Sequence, residues 1–255
     1  MSKMLLPSDV NAQDFDSIIV LTFGFPTVAV FYFLLIYSHC AFTMQYFGRT
    51  SDYSKLQIGL RFGICFALIY FIGMQEVMVE ASPFKTWGID FLIYQFVMGI
   101  GEALVAIIMC VVISSLTLKN SVHKKPWAID ANKVIAVLII AAAYTIERVF
   151  VCWTGIISSD VKLFPVPCYL WTVIFGLALG CMYIILYPLF SKEKSNLKKS
   201  FKIMVIIIGL NWFIFNGFMA LIYKNALPDI ITRSSFDIAA LLLSSIVSGR
   251  ILKKR

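Results

Sequence analysis

Charge and histidine are both scarce in this sequence of 255 residues, and each shortage excludes a class of function. Only 14% of the residues are charged, compared with about a quarter in ordinary soluble domains, whereas 60% are hydrophobic. So little polar surface excludes a soluble or disordered protein and indicates a membrane protein. The two histidines, His39 and His123, belong to no H-E-x-x-H sequence, and G-x-S-x-G is also missing. We therefore expect no enzymatic activity, and an intramembrane enzyme is the least favoured alternative.

The six cysteines form no metal-binding or redox motif. All fall in or at the ends of apolar stretches, with no C-x-x-C and no histidine at metal-ligand spacing. We interpret them as small apolar side chains and expect no metal site. They are Cys40, Cys65, Cys110, Cys152, Cys168 and Cys181.

Seven apolar stretches account for nearly the whole chain, and each is long enough to cross a bilayer as a helix of about 20 residues. Turn residues or charges bound each stretch, and no long linker or second domain remains. The pattern predicts an all-α membrane protein, a seven-transmembrane-helix bundle. The predicted helices are Ser17–Thr43, Gln57–Val79, Ile89–Leu116, Lys133–Ile156, Pro165–Phe190, Phe201–Tyr223 and Ile230–Leu252.

The positions of lysine and arginine predict how the bundle is oriented. They are concentrated in alternate connections and at the C-terminus, and such an excess marks the cytoplasmic side. We expect residues 1–16 to be an extracellular segment, residues 17–252 to be the transmembrane domain, and residues 253–255 to be a basic cytoplasmic tail. The N-terminus is then outside and the C-terminus inside. The plasma membrane is the expected location, and the net charge of +8 reflects orientation rather than a nucleic-acid partner.

Small residues and prolines inside the stretches predict local features of the helices. Gly176 and Gly180 have a small-xxx-small spacing, which we expect to pack inside the bundle rather than at a dimer face. Pro26 and Pro188 fall within predicted helices and predict kinks.

Ionisable residues inside the predicted helices are the candidate functional residues, because burying a charge in a bilayer is costly. Glu102 lies over halfway along the third stretch, where Gly99 and Gly101 let a neighbouring helix approach closely. Glu147 and Arg148 are adjacent, so their side chains diverge by about 100° on a helix and each must find its partner elsewhere. Two interpretations stay open: a polar contact that fixes helix register, or a proton or ion path.

Two stretches near the C-terminus resemble signatures of the microbial rhodopsins. N-W-F-I-F-N-G-F, residues 211–218, is similar to their sixth-helix W-x-x-Y-P signature, with Phe215 at the tyrosine position and Asn216 at the proline position. F-D-I-A-A-L, residues 236–241, resembles their seventh-helix D-x-x-x-K motif. Topology and length fit that family over nearly the whole chain, whereas the specific motifs are few and altered.

The resemblance implies roles for particular residues. In that family the lysine of D-x-x-x-K carries retinal as a Schiff base, and Leu241 at this position cannot form the bond. Asp90 and Asp237 take counter-ion positions, and without the Schiff-base cation burial favours their neutral forms. Glu102 lies one residue from the proton-donor position, and Glu147 matches a fourth-helix acid. The residues expected around the ancestral ring pocket are Phe91, Phe175, Trp212, Phe215 and Met219.

These considerations favour a rhodopsin-like protein that has lost the pump cycle. We expect a non-pumping sensor, signalling or interaction protein with no covalent cofactor. Aromatic side chains that fill the ancestral pocket are favoured over a non-covalent retinal or carotenoid. The expected partner is the lipid bilayer, with a second copy of the chain and a cytoplasmic transducer as further candidates and no nucleic acid. The alternative function is proton or ion translocation through the intramembrane carboxylates.

Overall fold

Seven membrane-length helices make up most of the described part of the chain, which confirms the predicted fold class. The computed structural model describes residues 16–76, 88–119 and 130–253, with the side chains of the third helix described from residue 93 onward. Each of the seven is long and apolar enough to cross a membrane. The helices are α1 Phe25–Gly48, α2 Lys55–Gly73, α3 Gly88–Thr117, α4 Ala131–Trp153, α5 Pro165–Phe190, α6 Asn196–Ile222 and α7 Leu227–Lys253.

The outer surface of the bundle is apolar. Large hydrophobic side chains project outward from several helices, among them Phe31, Leu104, Ile146 and Leu170, each more than half exposed. A soluble protein rarely exposes so much contiguous apolar surface, whereas a lipid bilayer covers it without cost. The chain is therefore a multi-pass membrane protein.

The helices run alternately in opposite directions, which gives the bundle two distinct ends. Ser17, just before α1, donates its backbone N–H to the carbonyl of Ile222 at the end of α6, at 3.2 Å. We call this end the N-terminal face. At the other end, Lys192 in the α5–α6 connection pairs with Asp52 in the α1–α2 connection at 2.7 Å. We call that end, where α7 finishes, the C-terminal face.

Side-chain caps start the helices at the C-terminal face. Ser54, Asp130 and Ser195 each accept a hydrogen bond from the backbone N–H three residues later, at 3.4, 3.1 and 3.3 Å. Such a cap satisfies one of the N–H groups that the first helical turn leaves without a partner. The predicted start of α6 is Phe201, whereas the cap at Ser195 starts the helix five residues earlier, at Asn196.

The predicted kink at Pro26 is wrong, because the helix is interrupted at Gly24, two residues earlier. Gly24 has a φ of +78°, a left-handed conformation that other residues rarely adopt. It separates a short helix, Ile18–Phe23, from α1. Pro26 then lies in the first turn of α1, where its missing N–H is not needed.

Two helices depart from α geometry near the C-terminal face. Pro188 lies in a 3₁₀ turn, Tyr187–Phe190, that ends α5, and the nearby carbonyl of Ile185 accepts from Arg61 of α2 at 2.5 Å. The segment Phe201–Gly209 of α6 is a π-helix, which the sequence did not predict. The wider turns of a π-helix disturb the regular i→i+4 hydrogen bonds, so a backbone carbonyl oxygen can accept from a group on another helix. The carbonyl of Ile206 receives a hydrogen bond from His39 of α1 at 3.0 Å.

The order of the helices around the bundle is not their order in the sequence. α2 lies along α3, while α4 packs against both α5 and α7. α6 also packs on α7, and α1 contacts α3 and α6. α7 therefore lies between α4 and α6, and the end of α2 reaches this same region through Glu76.

Two glycine pairs bring helix backbones into direct contact. A Cβ added at Gly176 or Gly180 of α5 would lie 3.0 Å from the Ala141 carbonyl oxygen or 2.7 Å from that of Val137, both on α4. This confirms the predicted packing of the Gly176–Gly180 motif inside the bundle. The sequence analysis missed a second pair with the same spacing, Gly59 and Gly63 on α2.

The Gly59–Gly63 pair packs against α3. A Cβ on Gly59 would lie 2.8 Å from the carbonyl oxygen of Cys110, and one on Gly63 would lie 2.8 Å from the Cα of Ile107. No side chain fits at these distances, so both positions require glycine. The α2–α3 pair and the α4–α5 pair are thus assembled in the same way.

Candidate functional site

A network of buried ionic side chains joins the end of α2 to α4 and α7. Arg148 of α4, whose side chain is 1% exposed, donates to Glu76 Oε1 at 2.9 Å. Arg233 of α7 donates to the same oxygen at 2.9 Å. Glu76, which follows the end of α2, therefore bridges two guanidinium groups. Arginine keeps its charge in proteins, so each buried guanidinium requires acceptors of this kind.

Asn216 of α6 completes the surroundings of Glu76. Its amide nitrogen donates to Glu76 Oε2 at 3.2 Å, and its amide oxygen accepts from Trp212 Nε1 at 3.2 Å. In the opposite orientation the amide oxygen would face the Glu76 carboxylate and the amide nitrogen would face the Trp212 N–H, so these partners fix the orientation. Asn216 thus links α6 to the end of α2.

Asp237 is fully buried on α7, and its partners come from two other helices. Its Oδ2 accepts from Arg148 at 2.7 Å and from Trp212 Nε1 at 2.9 Å. Arg148 also donates to the hydroxyl of Tyr144 at 2.9 Å. The sequence reasoning assumed that no cation faces Asp237, because position 241 carries a leucine. Arg148 supplies that cation instead, so this premise is wrong.

The carboxyl groups of Glu147 and Asp237 lie close enough for their charges to interact. Both oxygens of Glu147 and Oδ1 of Asp237 are shielded from solvent, and no described group donates a hydrogen bond to any of the three. Two carboxylates repel each other, whereas a carboxyl and a carboxylate share a hydrogen bond. One proton between the two groups makes a single hydrogen bond, which satisfies two of these three oxygens and removes the repulsion between the carboxylates.

Charge balance in the network also leaves room for one proton. Inside the bundle the cations are Arg148 and Arg233 and the carboxyls are Glu76, Asp237 and Glu147, whereas Asp229, which also pairs with Arg233, lies at the N-terminal face. Two positive charges therefore face three carboxyl groups. With one proton on the Glu147–Asp237 pair, the buried part of the network is neutral, which is the favourable state in a low-dielectric interior.

The network reaches the N-terminal face through Arg233. Its guanidinium also donates to the carbonyl of Ser158 at 2.7 Å and to Asp229 Oδ2 at 3.3 Å. The Asp229 side chain is 27% exposed, and its other oxygen accepts from the Ser158 backbone N–H at 2.7 Å. A continuous series of polar groups therefore leads from this face to Asp237.

A fully buried apolar residue follows Asp237 toward the C-terminal face. This residue is Leu241, one turn beyond Asp237 on α7. It belongs to the main hydrophobic cluster, together with Ile140 of α4, Leu179 of α5 and Ile208 of α6. The next buried polar side chains on α7 are Ser244, Ser245 and Ser248.

The residues expected around a ring pocket pack on one another. The rings of Trp212 and Phe175 lie 4.5 Å apart between centroids, and those of Trp212 and Phe215 lie 5.6 Å apart. Trp171 stacks on Phe175 at 5.1 Å. Met219 packs elsewhere, with a small cluster near the N-terminal face. The side chains of Asp90 and Phe91 lie outside the described residues.

Glu102 does not join the network. It is half-buried on α3, and the side chains close enough to feel its charge are Tyr32 and Tyr37 of α1 and Tyr94 of α3. The ion pairs and hydrogen bonds of the described network do not include it. Glu102 and Glu147, both predicted as proton-path residues, are thus separate sites.

Sequence reasoning missed Arg233, Arg61 and the surroundings of His39. Arg233 falls within the predicted stretch Ile230–Leu252, but it was counted only among the basic residues of the outer side and was not considered as part of a buried site. His39 accepts at Nδ1 from Asn211 at 3.2 Å, and Asn211 also contacts Cys40 and Tyr70. A polar residue within an apolar stretch was the available signal: Arg61 in the second stretch, and Asn211 in the sixth for the surroundings of His39.

The C-terminal face carries the basic residues that the orientation rule uses. Lys202 donates to Glu193 Oε2 at 2.7 Å, and this hydrogen bond holds the pKa of Glu193 below its usual range. Lys199 lies over the ring of Tyr187 at 4.1 Å. Nearby, Tyr183 donates to the carbonyl of Ser245 at 3.0 Å, which ties α5 to α7.

Comparison with known proteins gives this chain no family. No protein-family model, no curated protein and no solved structure matches it. The seven-helix membrane fold therefore stands on the structure itself, and function must be argued from the buried site.

Proposed function

We propose that this multi-pass membrane protein is a proton sensor rather than a pump or an enzyme, with the Glu147–Asp237 carboxyl pair as its proton-binding site. The observation that carries the proposal is the set of three buried carboxyl oxygens with no described donor. Binding one proton gives the pair a hydrogen bond that involves two of these oxygens, and it balances the charge of Arg148 and Arg233. Losing the proton places two like charges between α4 and α7, and their repulsion favours a looser packing of the two helices.

Access from one side favours sensing over transport. Polar groups lead from Asp229 at the N-terminal face to Asp237, whereas the fully buried side chain of Leu241 is the next one on the same face of α7 toward the C-terminal face. A site that exchanges protons with one side can report acidity but cannot carry protons across. With the orientation predicted from lysine and arginine, the sensed side is outside the cell membrane, and the basic C-terminal face meets a cytoplasmic transducer.

Replacing Glu147 with glutamine tests the proton site. An amide carries the donor permanently, so Glu147→Gln should stay in the proton-bound arrangement at every pH. We expect infrared spectra of wild-type protein in lipid to show a protonated-carboxyl carbonyl band that is lost as the pH rises. This band should be missing from Glu147→Gln. Glu193→Gln is the matched control, because Glu193 lies in an exposed connection and should leave the band unchanged.

The same variants decide between sensing and translocation. In liposomes with an imposed pH gradient, the wild-type protein should show no more proton flux than empty vesicles. Flux that Glu147→Gln removes would replace the sensor proposal with the alternative, proton translocation. A titrating band that persists in Glu147→Gln would reject the carboxyl pair as the proton site.

Rhodopsin ancestry stays a proposal, supported by the contact between Trp212 and Asp237. We propose that no retinal or carotenoid occupies the ring position, because Phe175, Trp212 and Phe215 fill it with their own side chains.

Neither the natural protein nor Leu241→Lys should become coloured with all-trans retinal in an absorption spectrum. Leu241→Met, which keeps the core volume, is the control for correct folding by circular dichroism. A coloured Leu241→Lys variant would show that the pocket survives.

A further inference from the structure

An open groove lies between α1 and α3 on the lipid-facing side of the bundle. It has a volume of about 430 Å³ and is lined by side chains of α1 between Val30 and Ala41 and by Met109 of α3. This volume lies within the range of about 300–1,000 Å³ that is typical of small-molecule sites. The lining is apolar except for Tyr37 and Ser38. A molecule dissolved in the bilayer can enter it from the side.

Glu102 lies on α3, the helix that contributes Met109 to the groove. It precedes Met109 by seven residues, so the two side chains share one face of α3, about two helical turns apart. Tyr37 lines the groove and also lies close enough to Glu102 to feel its charge. One residue therefore connects the apolar groove to the carboxyl group.

Glu102 lacks a protein cation in the described part of the chain. None of the ion pairs formed by described residues includes it, and neither Lys, Arg nor His is among the side chains that interact with its charge. Its described neighbours are tyrosines, which are neutral. An ionised intramembrane carboxyl without a cation is costly, so the group either takes up a proton or pairs with a cation from outside the protein.

We propose that the α1–α3 groove binds a membrane-soluble amine, with the hydrocarbon chain in the groove and the ammonium group on Glu102. Charge complementarity selects the amine. An ammonium group gives Glu102 both a hydrogen-bond donor and a counter-charge, whereas an alcohol gives only the donor and a fatty acid is repelled. The site shares no described contact with the Glu147–Asp237 pair, so it does not depend on the proposed proton sensing.

The test compares oleylamine with oleyl alcohol as probes on the full-length protein. Binding is measured by native mass spectrometry of detergent-solubilised protein titrated with each probe. We expect one molecule of oleylamine to bind at least ten times more tightly than oleyl alcohol. Glu102→Gln should lose this preference, because the amide carries no charge. Glu193→Gln, a matched change in an exposed connection, should keep it.

A second variant separates the groove from the charge. Ala41→Phe fills the groove with a side chain that lipid-facing helices tolerate, so both probes should bind at least ten times more weakly to it. Circular dichroism checks that each variant keeps its helical content. An unchanged preference in Glu102→Gln, or unchanged binding in Ala41→Phe, would overturn the proposal.

Discussion

Replacing Arg148 with methionine should lower the free energy of unfolding by about 3–5 kcal/mol, the largest effect that we expect from a single substitution. Arg148 is the cation that Glu76 and Asp237 share, at 2.9 and 2.7 Å. Methionine fills much of the volume but leaves Asp237 buried without a positive charge. The loss should appear as a lower midpoint of thermal unfolding, measured by circular dichroism in detergent.

Two further variants show whether charge or packing causes the loss. Arg250 lies exposed near the end of α7, so Arg250→Met should change the midpoint little. Adding Asp237→Asn to Arg148→Met removes one of the unpaired carboxylates and should restore part of the stability. A midpoint that is unchanged in Arg148→Met would mean that the network contributes no stability.

Isoleucine at Gly59 should cost about 3 kcal/mol, at the upper end of overpacking effects, because the contact that it breaks is made by backbone. A Cβ at this position would lie 2.8 Å from both the carbonyl oxygen of Cys110 and the Cα of Val111. A flexible side chain can turn aside, whereas a helix backbone must move as a unit. We expect α2 and α3 to separate and the unfolding midpoint to fall.

The chain offers a matched control on the other helix of the pair. Nothing lies within 4 Å of a Cβ added at Gly101 of α3, so Gly101→Ile adds the same side chain without a clash. Its midpoint should equal that of the wild type or exceed it slightly, because glycine is a poor helix former. Equal losses in Gly59→Ile and Gly101→Ile would show that the added bulk destabilises these helices wherever it is placed, and that close packing at Gly59 is not the cause.

Helix number was predictable from the sequence because a bilayer imposes a minimum apolar length. The Gly176–Gly180 contact was predictable for a similar reason, since small residues at this spacing allow close approach. Helix ends were harder, because the conformation at Gly24 and the cap at Ser195 are local features that hydropathy does not register.

Partners across the bundle could not be predicted from a single sequence. Arg148 had to find its partners on other helices, as expected, but nothing in the order of residues identifies Glu76 and Asp237 as those partners. Which helices are neighbours depends on packing between distant segments, and α7 lies between α4 and α6. Glu147 and Asp237 come together only because α4 and α7 are neighbours.

The depth of Asp237 gives the proposed proton site an electrical property. It is ten residues beyond Leu227, the first residue of α7, or about 15 Å along a helix that rises 1.5 Å per residue. A proton that comes from the N-terminal face therefore crosses roughly half of a hydrocarbon core of about 30 Å. A change of 100 mV in membrane potential then alters the free energy of proton binding by about 1 kcal/mol, or about fivefold in affinity. The carboxyl pair would respond to voltage as well as to acidity.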